Sequence, residues 1–327
     1  MQPVVVDVGA RNGFLLLPPA YTERATLVGF EPNPVEYEKL VKGETDAGRW
    51  LAEQGISAPR FKQERFFPYA LWDRAEACTL SITRGAGACT LMGETTPIAR
   101  NIYFKHPGDD PRRRGSLHDV QTEVLSTETL QCKRLDELFA DGEVVDFLKI
   151  DVEGAELRVL RGAEALLRER RVLFVRAEFQ LVPYYAEHAL LCDQHRFLED
   201  RGFRLLDLDF AHPRYRRGSI DLPDRSDRGL LLAGDALYSL DPDRLELPPI
   251  VRQRIAAVAL AFGLTGYGLS LIQEASLLPD DDIASVAAAL AAPPARSLQG
   301  RLLDAWVAFP YKVRDLLSSL RGRLNLR

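Results

Sequence analysis

Two neighbouring apolar segments of the sequence each carry a cation and, two residues later, an acid. Lys149 precedes Asp151 in the first segment, and Arg176 precedes Glu178 in the second. Side chains two apart in a strand project from one face, and charges inside an apolar segment often mark a functional site. We predict that Asp151 and Glu178 are the leading candidates for a catalytic general base, with Glu153 third. Glu153 could equally cap the following helix, and the two cations could form a buried ion-pair network.

The first apolar segment ends in a D-x-G-x-x-x-G turn that runs from Asp7 through Gly9 to Gly13. Glycine allows a positive φ and lets a ligand approach the backbone closely. The dinucleotide fingerprint G-x-G-x-x-G would need glycine in place of Arg11 and Phe14, so the turn lacks a pyrophosphate cradle and argues against NAD or FAD. Taken alone, the motif could also be a purely structural turn.

Glu31 follows the second apolar segment, 18 residues after Gly13. This is about the separation at which an acid at the tip of the second strand accepts hydrogen bonds from ribose hydroxyls. A ribose-binding acid without pyrophosphate glycines suits a nucleoside cofactor that carries no phosphate, such as S-adenosylmethionine. The alternative is that Glu31 stabilises the start of a helix near Pro34.

Short segments rich in β-branched and aromatic residues alternate with helical patterns through the first 240 residues. Such segments are typical of strands buried on both faces of a parallel sheet. We predict strands at residues 4–8, 26–30, 69–72, 145–150, 172–177, 203–208 and 236–240, and helices at residues 35–41, 156–167 and 183–201. The pattern predicts an α/β fold with a doubly wound, Rossmann-like, mostly parallel sheet that binds ligands beyond the carboxyl ends of its strands.

The character of the sequence changes after residue 244. We predict a main domain at residues 1–244, with a loop or insertion at 93–119, and a helical C-terminal extension at 245–327. The uncharged run 255–272 is long enough for a membrane span, but its glycines favour a turn between two short helices. Residues 302–324 form a basic amphipathic pattern that could contact a membrane, a partner protein or a second copy of the chain, giving a homo-oligomer.

The composition is that of an ordinary globular protein, with 46% hydrophobic and 27% charged residues among 327. These values exclude the disordered, collagen-like and disulfide-rich classes. The formal net charge of −5 hides an asymmetry, because residues 296–327 carry +5 and residues 1–295 carry −10. An acidic main domain makes a nucleic-acid partner unexpected.

The four cysteines and five histidines show no metal-ligand spacing, so no metal is expected and the cysteines are expected to be reduced. The first residues lack the basic and apolar regions of a signal peptide. We therefore expect a cytoplasmic protein that lies at the inner membrane face if its basic tail binds lipid.

Four blocks of sequence together resemble one known family. They are VDVGARNG from Val6, GFEPNP from Gly29, ALWD from Ala70 and LKIDVEGAE from Leu148. In order and spacing the blocks are similar to those of the FkbM-type branch of class I S-adenosylmethionine-dependent methyltransferases, over about residues 3–240. The resemblance implies that residues 1–244 bind S-adenosylmethionine and transfer its methyl group.

The resemblance also implies a set of cofactor-binding residues at the strand ends and in the ALWD block: Asp7, Gly9, Ala10, Arg11, Gly13, Glu31, Pro32, Asn33, Ala70, Leu71 and Asp151. Within this set, the turn that contains Asp7, Gly9 and Gly13 would surround the methionine part of the cofactor. Glu31 would bind the ribose, Ala70 and Leu71 would line the adenine, and Asp151 would lie close to the transferable methyl group.

FkbM-type relatives methylate hydroxyl groups of sugars, glycolipids and polyketide-like natural products, so the resemblance implies an O-methyltransferase with a small-molecule or glycan acceptor. His212, just after a predicted strand, is a further candidate base. The alternative is a non-catalytic cofactor-binding or scaffold module that acts through its helical tail. The intact Gly9, Glu31 and Asp151 favour an enzyme, and the glycine spacing disfavours an oxidoreductase.

Overall fold

The structure, a computed structural model, describes residues 2–97, 102–104, 121–140, 142–210, 215–217 and 230–276, together with residues 279, 281, 283 and 284. His212, most of the insertion 93–119 and the basic pattern 302–324 lie outside the described residues. The predictions that concern them stay predictions.

The described elements alternate strands and helices along the chain. The strands are β1 Val4–Val8, β2 Thr26–Phe30, β3 Gln63–Phe67, β4 Ala77–Thr83, β5 Ile102–Phe104, β6 Val124–Gln131, β7 Val145–Ile150, β8 Val172–Gln180, β9 Phe203–Asp209, β10 Tyr215–Arg217 and β11 Ala233–Leu240. The helices are α1 Pro19–Thr22, α2 Pro34–Lys42, α3 Asp46–Glu53, α4 Glu156–Gly162, α5 Glu164–Arg168, α6 Leu191–Glu199, α7 Pro249–Ala261 and α8 Thr265–Glu274.

A seven-stranded sheet in the order β3-β2-β1-β7-β8-β11-β9 forms the centre of the fold. Its strands run parallel except β11, which is antiparallel to both β8 and β9. The predicted doubly wound, mostly parallel sheet is therefore confirmed. Strand order reverses between β1 and β7, and the carboxyl ends of strands at such a point form the usual ligand site of an open α/β sheet.

The middle strands are apolar because helices cover both faces of the sheet. All five residues of β1 are buried, as are nearly all of β7 and β8. Helix α2 begins at an N-cap, Asn33, whose side-chain oxygen accepts the amide of Val35, and it ends at Gly43 with a φ of +70°. Helix α4 buries Leu157 and Leu160 against the same core.

The predicted third strand at residues 69–72 is wrong. The strand lies instead at Gln63–Phe67, and residue 71 forms only an isolated bridge with Lys133. The error has a physical cause: β3 is an edge strand whose first three residues are exposed, so it lacks the continuous apolar pattern of a strand buried on both faces. The apolar residues that suggested a strand instead form part of a cavity wall.

Two predicted helices are also shorter than expected. The helix predicted at 156–167 is interrupted at Ala163, because the carboxylate of Asp136 accepts the amides of Ala165 and Leu166 and so starts a separate helix, α5. Only Leu191–Glu199 of the helix predicted at 183–201 is helical. Its first part is a turn in which the buried His188 accepts the amide of Tyr184 through Nδ1.

Helices α7 and α8 form the predicted hairpin, joined at Gly263 with a φ of +78°. The hairpin packs on the sheet: Ile255 and Val258 are fully buried in its core, and Arg254 forms an ion pair of 2.6 Å with Asp146 of β7. Within the described ranges, no helix has both the length and the apolar character needed to cross a bilayer. The domain boundary at residues 244 and 245 stays a prediction.

Candidate functional site

A cavity of about 740 Å³ opens at the carboxyl ends of β1, β2, β7 and β8, where strand order reverses. This volume lies in the range of about 300–1,000 Å³ that is common for small-molecule sites. Residues 84–91, which follow β4, close one side of the cavity. Most of the predicted site residues line it: Gly9, Arg11, Gly13, Glu31, Pro32, Ala70, Leu71, Asp151, Glu153 and Glu178.

The turn after β1 is held tightly against the ends of β2 and β7. The amides of Gly9 and Ala10 both donate to the carbonyl of Phe30 at 3.0 Å. Gly9 has a φ of +83°, and a Cβ at this position would overlap the main-chain oxygen of Asp151. Only glycine fits here, which explains the first glycine of the D-x-G-x-x-x-G motif. Arg11 anchors the turn through an ion pair of 3.3 Å with Asp46.

Glu31 is a buried carboxylate at the end of β2, with 6% of its surface exposed. Its Oε1 accepts the amide of Asn33 at 2.8 Å. Because Asn33 supplies the N-cap of α2, the helix start does not require Glu31. Burial raises the pKa of Glu31 to about 7, an effect that its hydrogen bond from Asn33 only partly offsets. The carboxylate of Glu31 is thus positioned to bind a ligand in the cavity.

Lys149 links the ends of β1 and β7. Its Nζ lies 3.0 Å from Asp7 and 3.4 Å from Asp151, and it donates to the carbonyl of Gly9 at 3.3 Å. Burial raises the pKa of Asp7, and Lys149 opposes that shift. Burial disfavours the Lys149 ammonium, but the two carboxylates outweigh this and raise the pKa of Lys149. Lys149 therefore stays charged and fixes the two acids relative to each other.

Three acids converge at the carboxyl ends of β7 and β8. One carboxylate oxygen each from Asp151, Glu153 and Glu178 lies within 4.8 Å of the other two, and we call this group the carboxylate cluster. Glu153 reaches it from a strained backbone, with a φ of +56°. The buried Glu156 supports the loop that carries Glu153, because its carboxylate accepts the amides of residues 152 and 154 at 3.0 and 3.2 Å.

The carboxylate cluster is electrostatically unfavourable in the bare protein. Burial and then the neighbouring carboxylates raise the pKa values of Glu153 and Glu178 well above their usual range. Among the described residues, the Oε2 atom of Glu178 has no hydrogen-bond partner. Raised carboxyl pKa values in a cleft are typical of catalytic acids and bases.

Three of the expected cofactor-binding residues do not line the cavity. Asp7 is buried beneath it in the pair with Lys149, Ala10 is packed below the turn, and Asn33 caps α2. Three features of the site were not predicted from the sequence: Gln180, the segment 84–91 and the support of the loop by Glu156. Period two along β8 would have placed Gln180 on the face of Glu178, but an uncharged amide gave no reason to select it.

A comparison with protein families matches residues 7–205 to the methyltransferase FkbM domain. The chain belongs to the FkbM methyltransferase family. This match spans more than half of the protein and includes β2, β7, β8 and the carboxyl end of β1. FkbM proteins are S-adenosylmethionine-dependent methyltransferases, so the resemblance inferred from the four sequence blocks is confirmed, and S-adenosylmethionine is the cofactor.

No curated protein matches the chain in sequence. Among solved structures, the magnesium protoporphyrin IX methyltransferase ChlM of Synechocystis PCC 6803 with bound S-adenosylmethionine is 11% identical, with a TM-score of 0.32 over 73% of this chain and 71% of that one. Sp1610 of Streptococcus pneumoniae, proposed to be a tRNA (m1A22) methyltransferase, is 12% identical, with a TM-score of 0.31 over 96% and 93%. The assignment of this FkbM methyltransferase rests on the family match and on its sheet order.

The cavity of the FkbM methyltransferase fits its cofactor chemically. It has a buried acid at the end of β2 for a ribose, and glycines at the end of β1 that let a ligand approach the backbone closely. It has no glycine-rich pyrophosphate cradle. The Oδ1 atom of Asn12, on the cavity wall, is buried without a hydrogen-bond partner in the described part of the chain. These features suit a nucleoside with a sulfonium and no phosphate.

Proposed function

We propose that this protein is an O-methyltransferase that methylates a hydroxyl group of a sugar, a glycolipid or a related natural product. The observation that carries the proposal is the carboxylate cluster, which lies in the cofactor cavity directly after β7. A hydroxyl loses a proton when it is methylated, and a carboxylate within hydrogen-bond reach accelerates that step. The acceptor class comes from the resemblance to FkbM-type enzymes that act on hydroxyls.

We assign the cofactor to the β1, β2 and β7 side of the cavity. Glu31 would accept hydrogen bonds from the two ribose hydroxyls, and Ala70 and Leu71 would contact the adenine as apolar, buried residues. The turn at Gly9 and the carboxylate of Asp151 would enclose the methionine part. When bound, S-adenosylmethionine supplies an electrophilic methyl group on a sulfonium.

The chain's own task is to hold the acceptor and to take its proton. Glu178 is the best placed base, because its Oε2 has no hydrogen-bond partner among the described residues and its raised pKa makes it more basic than an ordinary carboxylate. Asp151, paired with Lys149, stays the second candidate, and Glu153 the third. His212 lies outside the described residues and keeps its place as a further candidate. No described feature favours the non-catalytic alternative.

We expect methyl transfer from labelled S-adenosylmethionine to a hydroxyl-bearing glycan or lipid-linked sugar, found by screening such acceptors. In Glu178→Gln, kcat should fall by about 10²–10⁴, the usual contribution of a general base, while cofactor affinity stays within about threefold. The exposed Glu38→Gln serves as the control and should keep full activity, because within the described ranges Glu38 pairs only with the exposed Lys42. A Glu178→Gln enzyme with unchanged kcat would remove Glu178 as the base, and transfer to RNA alone would refute the acceptor class.

Cofactor binding is expected to depend on pH through Glu31. The ionised carboxylate accepts two hydrogen bonds, so the affinity for S-adenosylmethionine should rise as pH increases through about 7 and then level off. Below the pKa of Glu31, the affinity should change by at most about tenfold per pH unit. In Glu31→Gln the affinity should be lower and nearly independent of pH, as isothermal titration calorimetry would show. The control Glu64→Gln, on β3 and outside the cavity, should keep the wild-type profile.

The cofactor-free protein should show the opposite trend. The folded-state pKa of Glu31 lies above its usual 4.5, so its contribution to stability is complete below about 4.5 and is lost as pH rises through about 7. Urea unfolding should therefore show that Glu31→Gln gains stability relative to the wild type at pH 8 but not at pH 4.5. Identical pH profiles for both proteins would contradict the buried state of Glu31.

A further inference from the structure

The spacing of the carboxylate cluster is that of ligands around a single ion. Oxygen ligands lie about 2.0–2.6 Å from Mg²⁺ or Ca²⁺, so any two ligands of one ion are at most about 4–5 Å apart. The three oxygens of Asp151, Glu153 and Glu178 all lie within 4.8 Å of one another. The three oxygens therefore lie at separations that the ligands of one ion can have.

Gln180 is a second and independent observation that points to a ligand. Its side chain lines the same cavity with only 3% of its surface exposed, and its Oε1 has no hydrogen-bond partner among the described residues. Gln180 lies two residues after Glu178 on β8, so both side chains project from the same face of the strand. A buried amide oxygen without a donor is costly, and amide oxygens are ordinary ligands of hard cations.

The neighbouring cations do not neutralise the cluster. Lys149 pairs with Asp7 and Asp151, while Arg176, on the same face of β8 as Glu178, pairs with Asp235 of β11 at 3.0 Å. In the part of the chain that the structure describes, neither Glu153 nor Glu178 forms an ion pair with a lysine or an arginine. Of the three acids and one buried amide oxygen that line this part of the cavity, only Asp151 is paired with a lysine or arginine of the described chain, namely Lys149.

We propose that Asp151, Glu153, Glu178 and the side-chain oxygen of Gln180 bind one divalent cation of the Mg²⁺, Mn²⁺ or Ca²⁺ class. The cation would leave coordination positions open toward the cavity, where the acceptor hydroxyl would bind. Glu178 would hold the ion through one carboxylate oxygen, so its other oxygen stays available to take the proton. This role for the ion rests on the proposed function, whereas the binding itself does not. The proposal replaces the expectation of no metal, which considered only cysteine and histidine spacing.

The test is a titration of the full-length, cofactor-free protein with MnCl₂, followed by the electron paramagnetic resonance signal of free Mn²⁺ and by calorimetry. The wild type should bind one Mn²⁺, and Mg²⁺ should compete. Glu178→Gln should weaken binding by at least about 100-fold and Gln180→Leu by about tenfold. Asp46→Asn is the matched control, because Asp46 lines the same cavity but already pairs with Arg11 and Arg49.

Thermal unfolding checks that the variants fold and gives a second readout. Excess Mn²⁺ should raise the Tm of the wild type and of Asp46→Asn, but not that of Glu178→Gln, because only proteins that bind the ion gain from it. No saturable Mn²⁺ binding, or equal binding by Glu178→Gln and the wild type, would overturn the proposal. Metal binding without methyl transfer to any hydroxyl acceptor would instead refute only the proposed function. Methyl transfer to an amine by a protein that binds no Mn²⁺ would identify the cluster as a site for a cationic acceptor.

Discussion

Replacing Gly9 with alanine is expected to lower the free energy of unfolding by about 4 kcal/mol and to abolish measurable cofactor binding. Alanine at a φ of +83° costs about 1–2 kcal/mol, and overpacking adds about 1–3 kcal/mol. The overlap is with the main-chain oxygen of Asp151, which cannot rotate away as a side chain would. Relief requires that the turn after β1 and the end of β7 move apart, and this movement would open the cofactor side of the cavity.

Gly43→Ala separates the two contributions. Gly43 has a similar φ of +70°, but a Cβ there meets no atom within 4 Å, and the residue ends α2 away from the cavity. This variant should lose about 1–2 kcal/mol and keep normal cofactor affinity. Urea unfolding and calorimetry with S-adenosylmethionine measure both quantities. If Gly9→Ala and Gly43→Ala behaved alike, close contact between the β1 turn and Asp151 would not be what requires glycine at residue 9.

The sequence predicted the middle of the sheet better than its edge. β1, β2, β7 and β8 are buried on both faces, so hydrophobicity alone marks them. β3 pairs on one side only and is half exposed, and the apolar residues after it belong to the cavity wall rather than to a strand. A hydrophobic pattern indicates that residues are buried, but buried residues can belong either to a strand or to a cavity wall.

The two-residue period of a strand predicted the part of the candidate site that lies along the strands, but not the part that depends on loop conformation. The two-residue spacing from Lys149 to Asp151 and from Arg176 to Glu178 correctly placed two acids at one edge of the sheet. The approach of Glu153 to them depends on its positive φ and on the support of Glu156, which no period reveals. An all-oxygen site with ligands from one loop and one strand likewise has no sequence spacing that a search for cysteine and histidine ligands could find.

Lys149→Met is expected to destabilise the protein by about 3–5 kcal/mol, because it leaves Asp7 as a buried carboxylate without a counter-ion. The side chain of Asp7 is 1% exposed, and Lys149 is its ion-pair partner at 3.0 Å. The loss should shrink at low pH. Burial already raises the pKa of Asp7, and removal of Lys149 raises it further, so the stability deficit is small below about 4 and grows as pH rises.

The double variant Asp7→Asn with Lys149→Met distinguishes an unpaired charge from lost packing. It removes both charges with little change in volume, so urea unfolding should show that most of the lost stability returns and that the pH dependence disappears. Methyl transfer should not return with it. Lys149 also donates to the carbonyl of Gly9 and lies 3.4 Å from Asp151, so these contacts to the cofactor turn and to the carboxylate cluster stay broken.

A double variant as unstable as Lys149→Met would show that packing of the lysine side chain dominates. A double variant with full activity would show that Lys149 only neutralises Asp7 and does not position the site.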